Sequence, residues 1–176
     1  HVIHLPAIAR AAGVIIDWDD MDELSRAVPL IASVYPNGAG DVNAFAAAGG
    51  MPFVIRELLD AGLAHGDIRT VYGASLMDGA QEPRMEGDKL AFSPPPAQSA
   101  GPAILRGVGD PFQPEGGFRL LKGNLGRATI KTSAVDPARL TIEAPARVFA
   151  DQNAVVAAFK AGELERDVVV VVRFQG

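Results

Sequence analysis

A proline-rich segment divides the chain into two parts with different sequence patterns. Residues 94–101 read Pro-Pro-Pro-Ala-Gln-Ser-Ala-Gly, and apolar periodicity already fades from Gly79 onward. Consecutive prolines lack amide donors and disfavour both a helix and a central strand, so such a run usually joins structural units. We therefore predict a domain at residues 1–92, a linker at 93–101 and a second domain at 102–176.

The part before this junction carries helix signals. Apolar residues recur at helical spacing, and capping residues or glycines bound several of the stretches. Val54, Leu58 and Ala61, for example, lie three or four residues apart, and Gly62 follows as a stop signal. The predicted helices cover residues 5–12, 20–28, 41–48 and 52–61.

Runs of β-branched and aromatic residues follow the junction. They predict strands at 103–106, 118–121, 128–133, 139–144 and 168–174. One helix interrupts these strands, with Asp151 as N-cap, Val155 and Phe159 on one face, and Gly162 as the stop. Five consecutive valines at 168–172 indicate a strand buried on both faces, which is typical of a central or parallel strand.

Composition narrows the classes of function. A chain of 176 residues with 48% hydrophobic content can bury a core. A net charge of -5 and a pI near 5.1 argue against nucleic acid or an anionic membrane as partner. No apolar run approaches the roughly 20 residues of a membrane helix, and the first residues do not resemble a signal peptide, so we expect a cytoplasmic protein. The absence of cysteine excludes disulfides and thiolate metal ligands within the chain.

A basic, glycine-containing stretch is the strongest candidate for a ligand site. Residues 121–131 read Leu-Lys-Gly-Asn-Leu-Gly-Arg-Ala-Thr-Ile-Lys, a strand-turn-strand pattern. Gly123 and Gly126 can adopt positive φ and expose amides to an anion, while Arg127 offers forked donors suited to phosphate. The alternatives are a tight turn with solvated lysines and an Arg127 that pairs with a protein carboxylate. The candidate residues here are Lys122, Asn124, Arg127 and Lys131.

Residues 37–43, Asn-Gly-Ala-Gly-Asp-Val-Asn, form a second candidate. The glycines allow a tight loop, and Asp41 can cap the following helix so that its first amides face a carboxylate or hydroxyl. A purely structural N-cap is the alternative for Asp41. The candidate substrate-binding residues of this loop are Asn37, Asp41 and Asn43.

Metal, nucleotide and hydrolase sites lack support in the sequence. The acidic run at 17–23 has Asp22 where a calcium loop needs glycine, and acidic residues are common at helix starts. His1 and His4 lack the intervening glutamate of a zinc protease helix. No stretch completes a phosphate-binding loop or a nucleophile elbow. We assign no catalytic residue and no metal ligand to the chain.

Several stretches of the chain resemble the IlvD/Edd dehydratase family. The resemblance rests on residues 1–13, on Tyr-Pro-Asn-Gly-Ala-Gly-Asp-Val-Asn at 35–43, and on residues 46–51, 56–63, 143–149 and 168–176. Gly-Asn-Leu-Gly-Arg at 123–127 looks like the branch that acts on phosphogluconate, whereas members acting on unphosphorylated dihydroxy acids typically have Gly-Asn-Leu-Ala-Pro. Family members usually have histidine where this chain has Ala44, which puts a histidine-based contact there in doubt.

The resemblance implies both a fold and an activity. The fold is α/β (α+β): the mainly helical end of an N-terminal α/β domain, followed by the start of a β-rich swivelling β/β/α domain. The implied activity is a hydro-lyase reaction of the Entner-Doudoroff pathway that converts 6-phospho-D-gluconate to 2-dehydro-3-deoxy-6-phosphogluconate, with Arg127 reading the phosphate. The resemblance also implies a 4Fe-4S cluster and Mg²⁺ in an intact, homodimeric enzyme.

In that family the cluster cysteines and the proposed base lie outside the stretch that this chain resembles. We therefore expect an internal piece of a longer enzyme that carries no cofactor and is inactive alone. Two alternatives stay open: a related sugar-acid or dihydroxy-acid dehydratase, and a non-catalytic binding module.

Overall fold

Backbone contacts in the computed structural model, which describes residues 2–175, group the chain into two compact units. The division falls between Ala134 and Val135. The proline-rich residues 94–101 belong to the first unit by this grouping. The domain boundaries predicted from sequence stay a prediction.

Four helices open the first unit, at the positions that the sequence predicts to within two residues. Asp17 begins the second of them because its carboxylate accepts hydrogen bonds from the amides of Asp19 and Asp20, completing a capping box. Asp41 begins the third in the same way, through the amide of Ala44. The helices are α1 (His4–Ala11), α2 (Trp18–Ala27), α3 (Val42–Ala47) and α4 (Gly50–Asp60).

Two antiparallel hairpins complete the first unit. The pair β1 (Glu82–Glu86) and β2 (Lys89–Ser93) turns at Gly87 and Asp88. No strands were predicted here, although a Gly-Asp dipeptide between strand-length runs is a hairpin signal. The pair β3 (Phe118–Gly123) and β4 (Gly126–Lys131) confirms the predicted strand-turn-strand.

The core of the first unit lies where α3 and α4 meet the segment after the prolines. Ala48, Phe53 and Leu105 are buried and form one cluster. The prediction of a strand at 103–106 is wrong, because the amides of Ile104 and Leu105 both donate to the carbonyl of Gly101 and close a turn. Leu105 makes only a single bridge to Ala32, and its side chain is fully buried.

The second unit is a strand-helix-strand. Strand β5 (Ala146–Phe149) and strand β6 (Val169–Val172) pair in parallel, and α5 (Gln152–Lys160) connects them. The helix and the last strand confirm the sequence prediction, whereas no strand was predicted at the position of β5. Asp151 caps α5 through the amide of Ala154. Phe149 and Ala158 are the buried side chains of this unit.

Two further expectations for this unit are wrong. Residues 139–144 are not a strand: Asp136 caps a short 3-10 helix, Pro137–Arg139, and the strand begins only after Pro145. The valine strand is not buried on both faces, since Val170 and Val171 are 39% and 36% exposed. The mixture of helices and small sheets nevertheless confirms the α/β class.

Candidate functional site

The β3–β4 hairpin presents the basic stretch at its tip. Gly123 pairs with Gly126, so Asn124 and Leu125 form a two-residue loop, and Lys122 lies opposite Arg127. Gly126 takes a φ of 114°, a conformation that side-chain-bearing residues rarely adopt, while Gly123 does not take positive φ. The turn therefore needs one of its two glycines.

Both cations at this tip contact one carboxylate. Arg127 Nη1 lies 3.1 Å from Asp19 Oδ2, and Lys122 Nζ donates to the other oxygen, Asp19 Oδ1. The Arg127 guanidinium also lies over the Trp18 ring, 5.6 Å from its centre, where a cation-π attraction operates. The structure therefore shows the alternative arrangement, in which Arg127 pairs with a protein carboxylate.

These three charged groups remain open to solvent and carry one net positive charge. The side chains of Lys122 and Arg127 are 59% and 51% exposed. An exposed ion pair contributes little stability, so its partners can exchange at low cost. An anion can therefore reach both cations, in competition with Asp19.

Helix α2 positions this hairpin through two side chains that sequence reasoning missed. Asp22 Oδ1 accepts from the amide of Leu120 at 2.9 Å, and Ser25 Oγ accepts from the amide of Phe118 at 3.1 Å. The Leu120 amide, followed by the hydrogen bond from Arg26, holds the pKa of Asp22 below its usual value. The spacing of Asp22 and Arg26 predicts only an ion pair within the helix, so no local sequence signal marks this docking.

Close packing explains the use of glycine in the loop at residues 37–43. The amide of Asn37 donates to the carbonyl of Val34 at 2.8 Å and begins a tight turn. A Cβ on Gly40 would lie 2.4 Å from Ile104 Cδ1, so any larger residue there would displace the end of the Ile104 side chain. The loop is thereby fixed against the segment that carries the core residue Leu105.

Asp41 caps α3, which is the structural alternative that the sequence left open for it. Its carboxylate accepts from the amide of Ala44 at 2.8 Å, and this bond lowers the pKa of Asp41. Asn43 is exposed on the first turn of the same helix. A substrate role for Asp41 and Asn43 stays a prediction.

A cleft of about 400 Å³ brings the two candidate stretches together. Asn37 from the loop and Lys131 from the end of β4 both line it, along with Ser133. Asn37 Oδ1 and Ser133 Oγ are shielded from solvent and have no hydrogen-bond partner. Ser133 was not a sequence candidate, because its unpaired hydroxyl arises only from tertiary packing. Lys122, Asn124 and Arg127 line a separate hollow of about 260 Å³ at the hairpin tip.

Residues 2–175 gather no group of three His, Cys, Asp or Glu side chains able to hold a metal ion. Within the same residues, no helix combines the length and apolar character that crossing a bilayer requires.

Two family models match the chain in succession. The model for the N-terminal part of dihydroxy-acid/6-phosphogluconate dehydratases matches residues 1–79, and the model for the C-terminal part matches residues 103–176. Together these matches cover most of the chain.

Individual relatives fall into two groups by identity. The chain is 54% identical over 176 residues to a phosphogluconate dehydratase of Pseudomonas aeruginosa and 49% identical over the same length to one of Escherichia coli K12. It is 33% identical over 177 residues to a dihydroxy-acid dehydratase of Acetivibrio thermocellus. These alignments cover 99% to 100% of this chain, but only 29% of each relative.

Proposed function

Because the chain belongs to the dihydroxy-acid/6-phosphogluconate dehydratase family, we propose that it is part of a hydro-lyase that converts 6-phospho-D-gluconate to 2-dehydro-3-deoxy-6-phosphogluconate. One observation carries the choice of substrate. Identity is 54% to a phosphogluconate dehydratase and 33% to a dihydroxy-acid dehydratase over nearly the same residues. The chain spans 29% of those relatives, so the proposal concerns the longer enzyme.

The proposed reaction removes water across one carbon-carbon bond of the substrate. A base takes the proton from C2, the C3 hydroxyl leaves as water after protonation, and the resulting enol tautomerises to the 2-keto acid. The substrate keeps its carboxylate and its phosphate throughout. Cationic and hydroxyl groups of the protein must therefore hold two anionic ends while the bond changes occur between them.

In this proposal the β3–β4 hairpin meets the phosphate. Arg127 offers a planar fork for two phosphate oxygens, and Lys122 adds a point charge beside it. Both side chains are exposed and share the single carboxylate of Asp19. A phosphate dianion carries more charge than that carboxylate, so it can compete for the same two cations.

A 4Fe-4S cluster and Mg²⁺ belong to the proposed intact enzyme, but the residues of this chain do not fit them. The chain has no cysteine, and residues 2–175 form no metal-holding group of three side chains. Cluster irons are normally held by cysteine thiolates, so their ligands would come from other parts of the longer enzyme. We assign no step of the reaction here to either cofactor.

The proposal also places the enzyme in the cytoplasm as a homodimer. A phosphorylated acid with two anionic groups does not cross the apolar interior of a bilayer unaided, so an enzyme that consumes it works where it is made. The two-stranded sheets have free edges, which are surfaces suited to pairing with another chain.

Turnover by the intact protein tests the proposal. After anaerobic cluster reconstitution, the protein is given 6-phosphogluconate, gluconate or 2,3-dihydroxy-3-methylbutanoate, and the 2-keto acid product is measured. We expect strong preference for the phosphorylated acid. Equal or opposite preference would assign the protein to the sugar-acid or dihydroxy-acid branch. Absence of turnover with all three acids would instead favour the non-catalytic binding module.

A further inference from the structure

Trp18 lies in the first turn of α2, beside the tip of the β3–β4 hairpin, and was not a candidate from the sequence. It shares one face of the helix with Asp22 and Ser25, which follow it at helical spacing and hold the backbone of β3. The Arg127 guanidinium lies over its ring, 5.6 Å from the centre. The docking of α2 on β3 therefore brings an aromatic ring to the arginine at the hairpin tip.

The indole of Trp18 is fixed from two directions. Its Nε1–H donates to the carbonyl of Val2 at 3.3 Å, and the capping box of Asp17 and Asp20 fixes the backbone of the first turn. Arg127, in contrast, has a long side chain that is 51% exposed. A free arginine side chain samples many rotamers, so a fixed ring beside it narrows the directions in which its N–H donors point.

Trp18 and Asp19 orient Arg127 by different means. Asp19 accepts a hydrogen bond from Nη1 of the guanidinium and thus occupies one of its donors. An aromatic ring attracts the cation through its π-face and takes no N–H, so the donors in the guanidinium plane stay available. The ring also carries no charge that would repel an anion.

This difference matters when an anion binds. A phosphate that pairs with Arg127 competes with the carboxylate of Asp19, and the contact between arginine and carboxylate is then lost. The contact with the Trp18 ring does not compete with phosphate. Of the two side-chain contacts that residues 2–175 provide to the Arg127 guanidinium, the ring is therefore the one that phosphate binding leaves in place.

We propose that Trp18 is a positioning residue that holds the Arg127 guanidinium toward a bound phosphate. The inference rests on the proposed function for the molecule that carries the phosphate. Trp18 touches no substrate in this account and acts through Arg127 alone. Its substitution should therefore affect phosphate binding only while Arg127 is present.

Calorimetric titration of the intact protein with inorganic phosphate tests this role. We expect Trp18→Leu to weaken phosphate binding about two- to fivefold, which is the size of an exposed cation-π contact. In the Arg127→Ala background, where Lys122 still contributes a charge, Trp18→Leu should weaken binding no further. Trp18→Phe should retain most of the affinity, because phenylalanine also presents a π-face.

A purely structural role for Trp18 predicts a different pattern. Trp18→Leu would then lower the Tm and leave phosphate affinity unchanged, or would weaken binding equally with and without Arg127. Either result would overturn the proposal, as would absence of phosphate binding by the wild type. Trp18→Met, whose flexible side chain fills irregular space, replaces Trp18→Leu if that variant does not fold.

Phe92→Leu is the matched control, because Phe92 is an aromatic residue, 54% exposed, on the other hairpin. This variant should bind phosphate as the wild type does. Weakening in Phe92→Leu equal to that in Trp18→Leu would show an effect that does not act through Arg127 and would contradict the positioning role.

Kinetics separate this proposal from the proposed function. In the active enzyme, Trp18→Leu should raise KM for 6-phosphogluconate about two- to fivefold and leave both kcat and the KM for gluconate unchanged. If no acid is turned over but Trp18→Leu weakens phosphate binding only while Arg127 is present, the positioning role stands and the proposed function fails. If 6-phosphogluconate is turned over but Trp18→Leu has the phosphate affinity and KM of the wild type, the proposed function stands and the positioning role fails.

Discussion

Asp19 is the residue that decides how the hairpin tip can meet an anion. Its two carboxylate oxygens each take one cation, from Arg127 and from Lys122. The carboxylate orients both side chains, and it also neutralises part of their charge. Orientation of the two cations favours anion binding, whereas neutralisation of their charge opposes it. Substitution of Asp19 can show which effect is larger.

Asp19→Asn should strengthen phosphate binding at the hairpin tip about fivefold. Two unit charges about 4 Å apart in water interact by about 1 kcal/mol. The substitution removes one negative charge next to the two cations, and about 1 kcal/mol corresponds to about a fivefold change in affinity. Stability should change by less than about 1 kcal/mol, because the pairs are exposed. Titration with inorganic phosphate measures the effect.

Glu86→Gln provides the control, since Glu86 pairs with Arg84 on the other hairpin at 2.7 Å. That variant should bind phosphate as the wild type does. Weaker phosphate binding in Asp19→Asn would mean that orientation of the cations outweighs competition for them.

Asp22 makes the docking of α2 on β3 dependent on pH. Hydrogen bonds from the Leu120 amide and from Arg26 favour its carboxylate, so its pKa in the folded protein lies below 3.8. The stability that results is complete above about pH 4 and is lost as the pH falls through the folded-state pKa. Asp22→Asn should lower the Tm at pH 7, and its difference from the wild type should shrink in strong acid.

Thermal unfolding between about pH 7 and about pH 2 measures this difference. Asp88→Asn changes an exposed carboxylate in the β1–β2 turn and serves as the control. A Tm difference for Asp22→Asn that stays constant across this range would contradict the account.

At the scale of elements, the segment after the prolines contributes more to the hydrophobic core than its sequence pattern suggests. Leu105 is fully buried and belongs to the cluster with Ala48 and Phe53 at the junction of α3 and α4. The backbone there also bridges to Ala32. The core of the first unit therefore depends on one leucine that lies in neither a helix nor a strand.

Leu105→Ala should destabilise the protein by about 2–5 kcal/mol, because it removes a buried side chain and leaves a cavity. Leu125→Ala is the matched control: Leu125 is 98% exposed at the hairpin tip, and its loss should change stability by less than about 0.5 kcal/mol. Denaturant unfolding followed by circular dichroism measures both. Equal effects of the two substitutions would contradict the assignment of the core.

Elements with local signals were predictable, and those that depend on distant contacts were not. The four helices of the first unit follow from periodicity and from caps such as Asp17 and Asp41. The predicted strand at 103–106 failed because an apolar run also fits a buried turn, which only its packing reveals. Valines at 168–172 predicted the strand β6, but the predicted burial of both its faces failed, because which neighbours cover a strand depends on tertiary structure.

The same difference between local signals and distant contacts applies to the candidate site. Local sequence located the hairpin, its Arg127 and the Asn37 loop, because glycine and charge patterns are local. It did not indicate that Asp19 pairs with the cations, that Asp22 and Ser25 fix β3, or that Ser133 lies in the cleft. The contacts of α2 with β3 and β4 join residues about a hundred positions apart, and no local pattern encodes them.

At the scale of the whole molecule, the chain matches parts of both the N-terminal and the C-terminal family models. The N-terminal family model matches residues 1–79 and the C-terminal one matches residues 103–176. The chain spans 29% of its relatives, and without cysteine it offers none of the usual cluster ligands. Its proposed part in the reaction is therefore to bind and orient substrate, with the phosphate at the hairpin tip.

The ratio of kcat/KM for 6-phosphogluconate to that for gluconate, measured in the intact enzyme and in Arg127→Ala, tests this account most directly. We predict that the wild type strongly favours the phosphorylated acid and that Arg127→Ala lowers the ratio at least tenfold by raising KM for that acid alone, as loss of a charge-assisted contact requires. Arg84→Ala, on the other hairpin, should leave the ratio unchanged. A wild-type ratio near one, or a ratio that Arg127→Ala does not alter, would contradict the account.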